Sequence, residues 1–189
     1  MDKHAVTNCL AVCQLDRANR LADVGLIEMF ADKNEIASFV KALKSAAVEK
    51  TMDFYLTENN GWVSIFSEQF SFETVKDYAC RYFSEMSNPV ITVGYFDDDV
   101  LEIVCMSGGE VVTSFVKGPG LDAYGLIETD MDFALFAGCC HADQQKVTDA
   151  LAGKDIYENC VALGNQLGIP LHLQLRDIKR NAERVTFHV

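Results

Sequence analysis

The sequence predicts an α+β fold built on a mainly antiparallel sheet, and three observations lead there. Runs rich in β-branched and aromatic residues come in adjacent pairs separated by turn-forming residues, the pattern of hairpins. Other segments place apolar residues at helical spacing. The two kinds of segment do not alternate regularly, which sets the chain apart from parallel-sheet folds. The expectation is one α+β domain over 1–189, with hairpins, a meander and about four helices on one face of the sheet.

The first thirty residues are the least legible. His4 to Cys13 fits either a strand of small residues or part of a helix, whereas Val24 to Phe30 has strand composition. Asp32 and Glu35 have the spacing of a capping box, and Ile36, Phe39, Val40, Leu43 and Ala47 follow on one helical face. The runs Asp53–Thr57 and Trp62–Phe66 flank Asn60-Gly61, two residues that tolerate positive φ, so they predict a hairpin. Ser71 can cap a helix over Phe72–Met86, whose stripe is Phe72, Val75, Tyr78, Ala79, Tyr82, Phe83 and Met86, with Pro89 as the stop.

Three strands follow, Val90–Phe96, Val100–Met106 and Val111–Lys117, joined by Asp97-Asp98-Asp99 and Ser107-Gly108-Gly109-Glu110. Gly118-Pro119-Gly120 interrupts regular structure. Leu126–Thr129 and Phe133–Phe136 read as short strands around an acidic turn. Helices are expected over Asp143–Ala152, with Gly153 as terminator, and over Ile156–Leu167, closed by Gly168 and Pro170. The end of the chain alternates at Leu171, Leu173 and Leu175, and again at Val185, Phe187 and Val189. A register centred on residue 180 would set His172 opposite His188.

Composition bounds the function. With 28 acidic and 16 basic residues the net charge is −12. Such a field repels nucleic-acid phosphates and anionic membranes and attracts basic proteins. No apolar run approaches the ~20 residues of a membrane helix, and the mixed charge of Met1 to Arg17 lacks the pattern of a secretory signal. Seven cysteines, an odd number set mostly within apolar runs, read as reduced thiols in a cytoplasm.

The motifs are weak ones. Gly118-Pro119-Gly120-Leu121-Asp122-Ala123 matches G-x-G-x-x-A, but Gly125 and the acids after it leave no helix of useful length to receive a pyrophosphate. Cys139-Cys140-His141, with Cys9 and Cys13, offers soft metal ligands without the C-x-x-C spacing of structural zinc sites. Read on a strand, Cys139 and Cys140 would point to opposite sides. Asp97, Asp98 and Asp99, and the alternating Glu128, Asp130 and Asp132, lack calcium-loop spacing and read as solvated turns able to form a negative patch. Trp62, the single tryptophan, is either an interface anchor or a core residue. Ser38-Phe39-Val40-Lys41 and Ser114-Phe115-Val116-Lys117 fit S-x-x-K without its companion motifs.

The reading that follows is a non-enzymatic, acidic protein-binding module with a basic partner and no cofactor. Asp97, Asp98, Asp99, Glu128, Asp130, Asp132 and Trp62 are its partner-binding candidates. Layout and acidity are similar to those of small inhibitor or immunity proteins that neutralise basic toxins, an analogy of fold and charge alone. The alternatives are a small-molecule- or metal-binding protein or enzyme with a dispersed site, with Cys139, Cys140 and His141 as metal candidates, and a structural subunit of a homo-oligomer.

Overall fold

The computed structural model describes residues 23–31, 33–42, 51–83, 86, 88–172 and 181–188. Among these, β1 (Asp23–Phe30) leads into α1 (Lys33–Ala42), and the hairpin β2 (Thr51–Asn59) and β3 (Trp62–Phe66) leads into α2 (Val75–Phe83). The meander β4 (Val90–Phe96), β5 (Val100–Ser107) and β6 (Glu110–Lys117) follows. A 3₁₀ turn (Leu121–Tyr124) precedes α3 (Phe133–Cys140), α4 (Gln144–Leu151) and α5 (Ile156–Leu167), and β7 (Glu183–His188) closes the described chain.

The seven strands lie in the order β6-β5-β4-β1-β3-β2-β7, and every neighbouring pair is antiparallel. The α+β class and the antiparallel sheet are therefore as the hairpin pattern required. β1 sits at the centre and joins the β2–β3 hairpin to the meander. The turns use the expected residues. Asn60 (φ 52°) and Gly61 (φ 81°) turn the first hairpin, and Gly108 (φ 58°) and Gly109 (φ 81°) turn β5 into β6.

Helices cover both faces of the sheet, which corrects the expectation of one. On one face Ile27, Phe54, Leu56, Val63 and Ile65 meet Ile36 of α1 and Val75, Ala79 and Phe83 of α2. On the other, Leu26, Ile91, Val93 and Ile103 meet Phe136, Val147, Ile156 and Leu163 of α3 to α5. The physical sign is in the strands: β3 is buried at every position and β4 at every position before Phe96. Antiparallel strands with a wet face would alternate instead. Phe54 anchors the first layer, with ring centroids of Phe70, Phe83 and Tyr82 at 5.8, 5.9 and 6.4 Å.

Between the hairpin and α2 the chain crosses the sheet over Gly25 and Gly94, which are opposite each other in β1 and β4. A Cβ on Gly25 would lie 2.8 Å from the backbone of Ser71, and one on Gly94 3.1 Å from the Phe72 carbonyl oxygen. Only glycine leaves room for a backbone at this distance. The regular part of α2 begins at Val75, and the turn from Ser71 leads straight into it: the Ser71 N–H donates to Thr74 Oγ1 at 3.0 Å, and the Val75 N–H donates to the Ser71 carbonyl at 3.0 Å.

Two further expectations change. Phe133–Phe136 is helical, since Asp132 caps α3 by accepting the N–H groups of Ala134 and Leu135, each at 3.0 Å. Phe136, Ala137 and Cys140 then form its buried stripe. His188 pairs in register with Thr51 of β2, and His172 lies in a turn edge-on to Tyr157 at 6.5 Å. The expected run 173–175 lies outside the described residues, as do Cys9, Cys13 and the segment 4–13.

Candidate functional site

The acidic residues singled out in the sequence fall in two stretches: Asp97, Asp98 and Asp99 form the β4–β5 turn at one end of the sheet, and Glu128, Asp130 and Asp132 follow the outer side of β6. Asp97 and Asp98 turn β4 into β5 with both φ values positive, 47° and 57°, a conformation Asp tolerates better than most residues. The Tyr95 hydroxyl donates to the Asp98 carboxylate and holds it against the strand. The carbonyl of Asp99 accepts from the Gly120 N–H at 3.0 Å, so the Gly118–Gly120 loop is pinned to the tip. That loop continues from β6, where Val116 exchanges both backbone hydrogen bonds with Thr129 at 3.0 Å. Glu128 and Asp130 flank Thr129 and are exposed.

Tyr124 reports the field of this end. Its phenol is pushed up by desolvation and then by the negative charges of Asp99, Asp97 and Glu73. The neighbouring cation is engaged elsewhere: Lys117 Nζ donates to the Gly153 carbonyl at 2.8 Å and the Leu151 carbonyl at 3.4 Å, at the end of α4. Asp132 is drawn into capping α3, so its carboxylate already accepts two backbone donors. Trp62 is 3% exposed within the core and stands opposite Asn59 of β2. It therefore supports the sheet from inside.

The thiols are arranged differently from the sequence reading. On α3 Cys139 and Cys140 reach the sheet beside Cys105 of β5. The Cys105 thiol is held below its ordinary value by hydrogen bonding from Cys140 and, less, from Cys139, against the burial that opposes it. Cys140 is pushed up by the same contact and by burial, and Cys139 is pushed up by burial first. His141 caps the helix in the left-handed conformation and is exposed. Among the described residues no group of three or more His, Cys, Asp or Glu side chains is placed to hold a metal ion. Cys105 was missed because it is one buried position in an apolar strand, and only the helix packing brings it to the other two.

Glu28 was missed as well. It faces the α3–α5 side of the sheet at 0% exposure, opposite Ser64 in β3 and Ile91 in β4. Neither of its carboxyl oxygens, nor Ser64 Oγ, has a hydrogen-bond partner of good geometry. Desolvation pushes its pKa up to about 8, outweighing the nearby Ser64 hydroxyl, which lowers it. The signal was present as a lone acid inside the apolar run of β1. Such a carboxyl carries a proton at neutral pH, which removes one negative charge from the interior.

No family model matches the chain, and no curated protein or solved structure matches it.

Proposed function

We propose that the chain is a non-catalytic protein-binding domain whose partner carries a basic surface. The observation that supports this is the β4–β5 turn with the Gly118–Gly120 loop pinned to Asp99, where the charges of Asp99, Asp97 and Glu73 act together on Tyr124. On a chain of net charge −12 this end adds a local concentration of charge to a global one. Such a surface steers an oppositely charged partner and raises its association rate by roughly 10- to 1,000-fold, an effect that falls steeply with salt.

The test has two stages. Affinity purification from the native cell at low and high salt identifies the partner, which should be basic and should be lost at high salt. Stopped-flow association with the triple variant D97N/D98N/D99N should then be slower at low salt and equal to wild type at high salt. An on-rate unchanged at low salt, or a partner of acidic or neutral charge, would refute the reading.

A second reading, a small-ligand protein, rests on the convergence of Cys105, Cys139 and Cys140 between α3 and β5. Native mass spectrometry separates the two: a retained small ligand supports the second reading, and a ligand-free mass removes its support.

A further inference from the structure

Going beyond both readings, we infer that Cys139, Cys105 and Cys140 form a reversible thiol-oxidation site. A small hydroperoxide oxidises Cys139, and Cys105 closes onto it as a disulfide that staples α3 to β5.

The packing of α3 on the sheet brings the three sulfurs together. Cys105 faces the α3–α5 side of β5, in one core cluster with Cys140 and with Cys139 packed against it. Its cross-strand neighbour is Thr113 of β6, whose Oγ1 accepts from the Asp132 N–H at 2.7 Å and so fixes the start of α3 over this part of the sheet. At the other end of α3 the Cys140 and Cys139 thiols both hydrogen-bond to the Cys105 sulfur. Cys105 is therefore the common partner. Consecutive Cα atoms lie about 3.8 Å apart, closer than the about 4.4–6.8 Å that a disulfide spans. Cys139 and Cys140 thus do not bridge each other, and a disulfide within the group includes Cys105.

Access and charge assign the roles. Cys105 is 0% exposed and Cys140 6%, whereas Cys139 is half-buried. Gly138 and His141, on either side of the Cys139-Cys140 pair, are exposed, and a Cβ on Gly138 would meet nothing within 4 Å. A small oxidant therefore meets Cys139 first. The hydrogen bonds that Cys140 and Cys139 donate hold the Cys105 thiol below its ordinary value, so Cys105 carries the charge when the group ionises. The thiolate is the form that attacks sulfur. The β5–β6 ladder also shifts register between Cys105 and Met106, so strand pairing is interrupted beside the sulfur that has to move.

The chemistry balances within the group. As Cys139 attacks, its proton passes along the hydrogen bond to Cys105. The Cys139 sulfur takes the distal oxygen of the hydroperoxide, the O–O bond breaks, and the departing alkoxide takes that proton from Cys105. Cys139 is then a sulfenic acid and Cys105 again a thiolate. Cys105 attacks the Cys139 sulfur, the S–O bond breaks, and hydroxide leaves and is protonated by solvent. Two thiols are oxidised to one disulfide, and the hydroperoxide is reduced to an alcohol and water. Cys140 stays a thiol throughout and positions Cys105.

The test treats the full chain with hydrogen peroxide in native buffer, blocks the remaining thiols and maps the peptides by mass. The Cys105 and Cys139 peptides should appear joined, and dithiothreitol should separate them. Cys80, also half-buried but against Met106 Sδ at 3.4 Å, is the internal comparison and should enter no bridge. Cys139→Ser should slow the loss of free Cys105 by about tenfold or more. Cys105→Ser should leave a sulfenic acid on Cys139 that dimedone traps; should that variant fail to fold, dimedone added to the wild type with the peroxide should label Cys139 at the expense of the bridge. Bridges scattered among Cys80, Cys139 and Cys160, as in urea, overturn the site, and so does Cys139 oxidised to sulfinic acid with no bridge. A Cys105–Cys140 bridge formed as fast in C139S as in wild type overturns the role of Cys139. None of these failures touches the basic-partner reading, which rests on Asp97 to Asp99 at the other end of β5. The small-ligand reading is likewise decided separately, by native mass spectrometry.

Discussion

Replacing Glu28 by glutamine should change how stability depends on pH more than it changes stability itself. The folded carboxyl is pushed up to about 8 from an ordinary value of 4.5, because burial desolvates it by more than the Ser64 hydroxyl offsets. Below pH 4.5 the group is protonated in both the folded and the unfolded chain and costs nothing. Between 4.5 and 8 the unfolded chain releases the proton while the folded chain keeps it, so wild-type stability falls by about 1.4 kcal/mol per pH unit. Above 8 both states are ionised and the loss levels off at about 5 kcal/mol, of which about 3 kcal/mol is already present at pH 7. Domains of this kind are stable by only about 5–15 kcal/mol, so the effect is large. Glutamine has nearly the same shape and cannot ionise. Urea unfolding of both proteins from pH 4 to pH 9 should therefore give curves that start within about 1 kcal/mol and diverge by about 5 kcal/mol in favour of E28Q. Titrations elsewhere in the chain cancel in the difference. Two parallel profiles would refute the reasoning and show that water or a partner group reaches the carboxylate.

Other perturbations follow from the same geometry. Gly118→Ala should lower stability by more than about 2 kcal/mol, because its backbone holds φ at 152° and a Cβ would lie 1.9 Å from the Asp99 carbonyl oxygen; a urea midpoint measures it. Phe54→Ala should cost about 3–5 kcal/mol, since it empties the centre of a ring cluster with Phe70, Tyr82 and Phe83. The loss should appear in the urea midpoint together with a change in the near-ultraviolet dichroism of those rings. Cys160 is buried and its thiol is pushed up to about 12, so iodoacetamide at pH 8 should leave it unmodified in the folded protein and alkylate it in urea. Peptide mass mapping reads the difference.

The strands and most helices were legible because their signals are local. Asn60-Gly61 and Gly108-Gly109 set turns whatever the rest of the chain does, and Val147, Ala150 and Leu151 mark a helix by spacing alone. Phe133–Phe136 was misread because an apolar run that short fits either period, and the Asp132 cap went unrecognised. The second helical layer was hidden for another reason: near-continuous apolar strands are a sign of burial on both faces, but hairpins suggested a wet face. The acidic end was visible as composition. Its assembly around Gly118–Gly120 was not, because the contact between Asp99 and Gly120 depends on how β4, β5 and the loop return to one another. Cys105 was invisible as a site for the same reason, since it acquires its character only from neighbours on another element, whereas Glu28 was legible as a lone acid in an apolar run although its enclosure between two layers was not.

The facing glycines of β1 and β4 have a mechanical consequence for the whole sheet. That pair lies on the seam between the hairpin half and the meander half, and on the α2 side neither residue offers a side chain to grip its neighbour across the seam. The backbone of Ser71 and Phe72 rests in the gap like a peg in a joint. The segment that leads into α2 thus also fills the gap those glycines leave on the seam. Any event that lifted it would uncover the two glycines and open the layer beneath α2, while the seven residue pairs of the β1–β4 ladder stay in place.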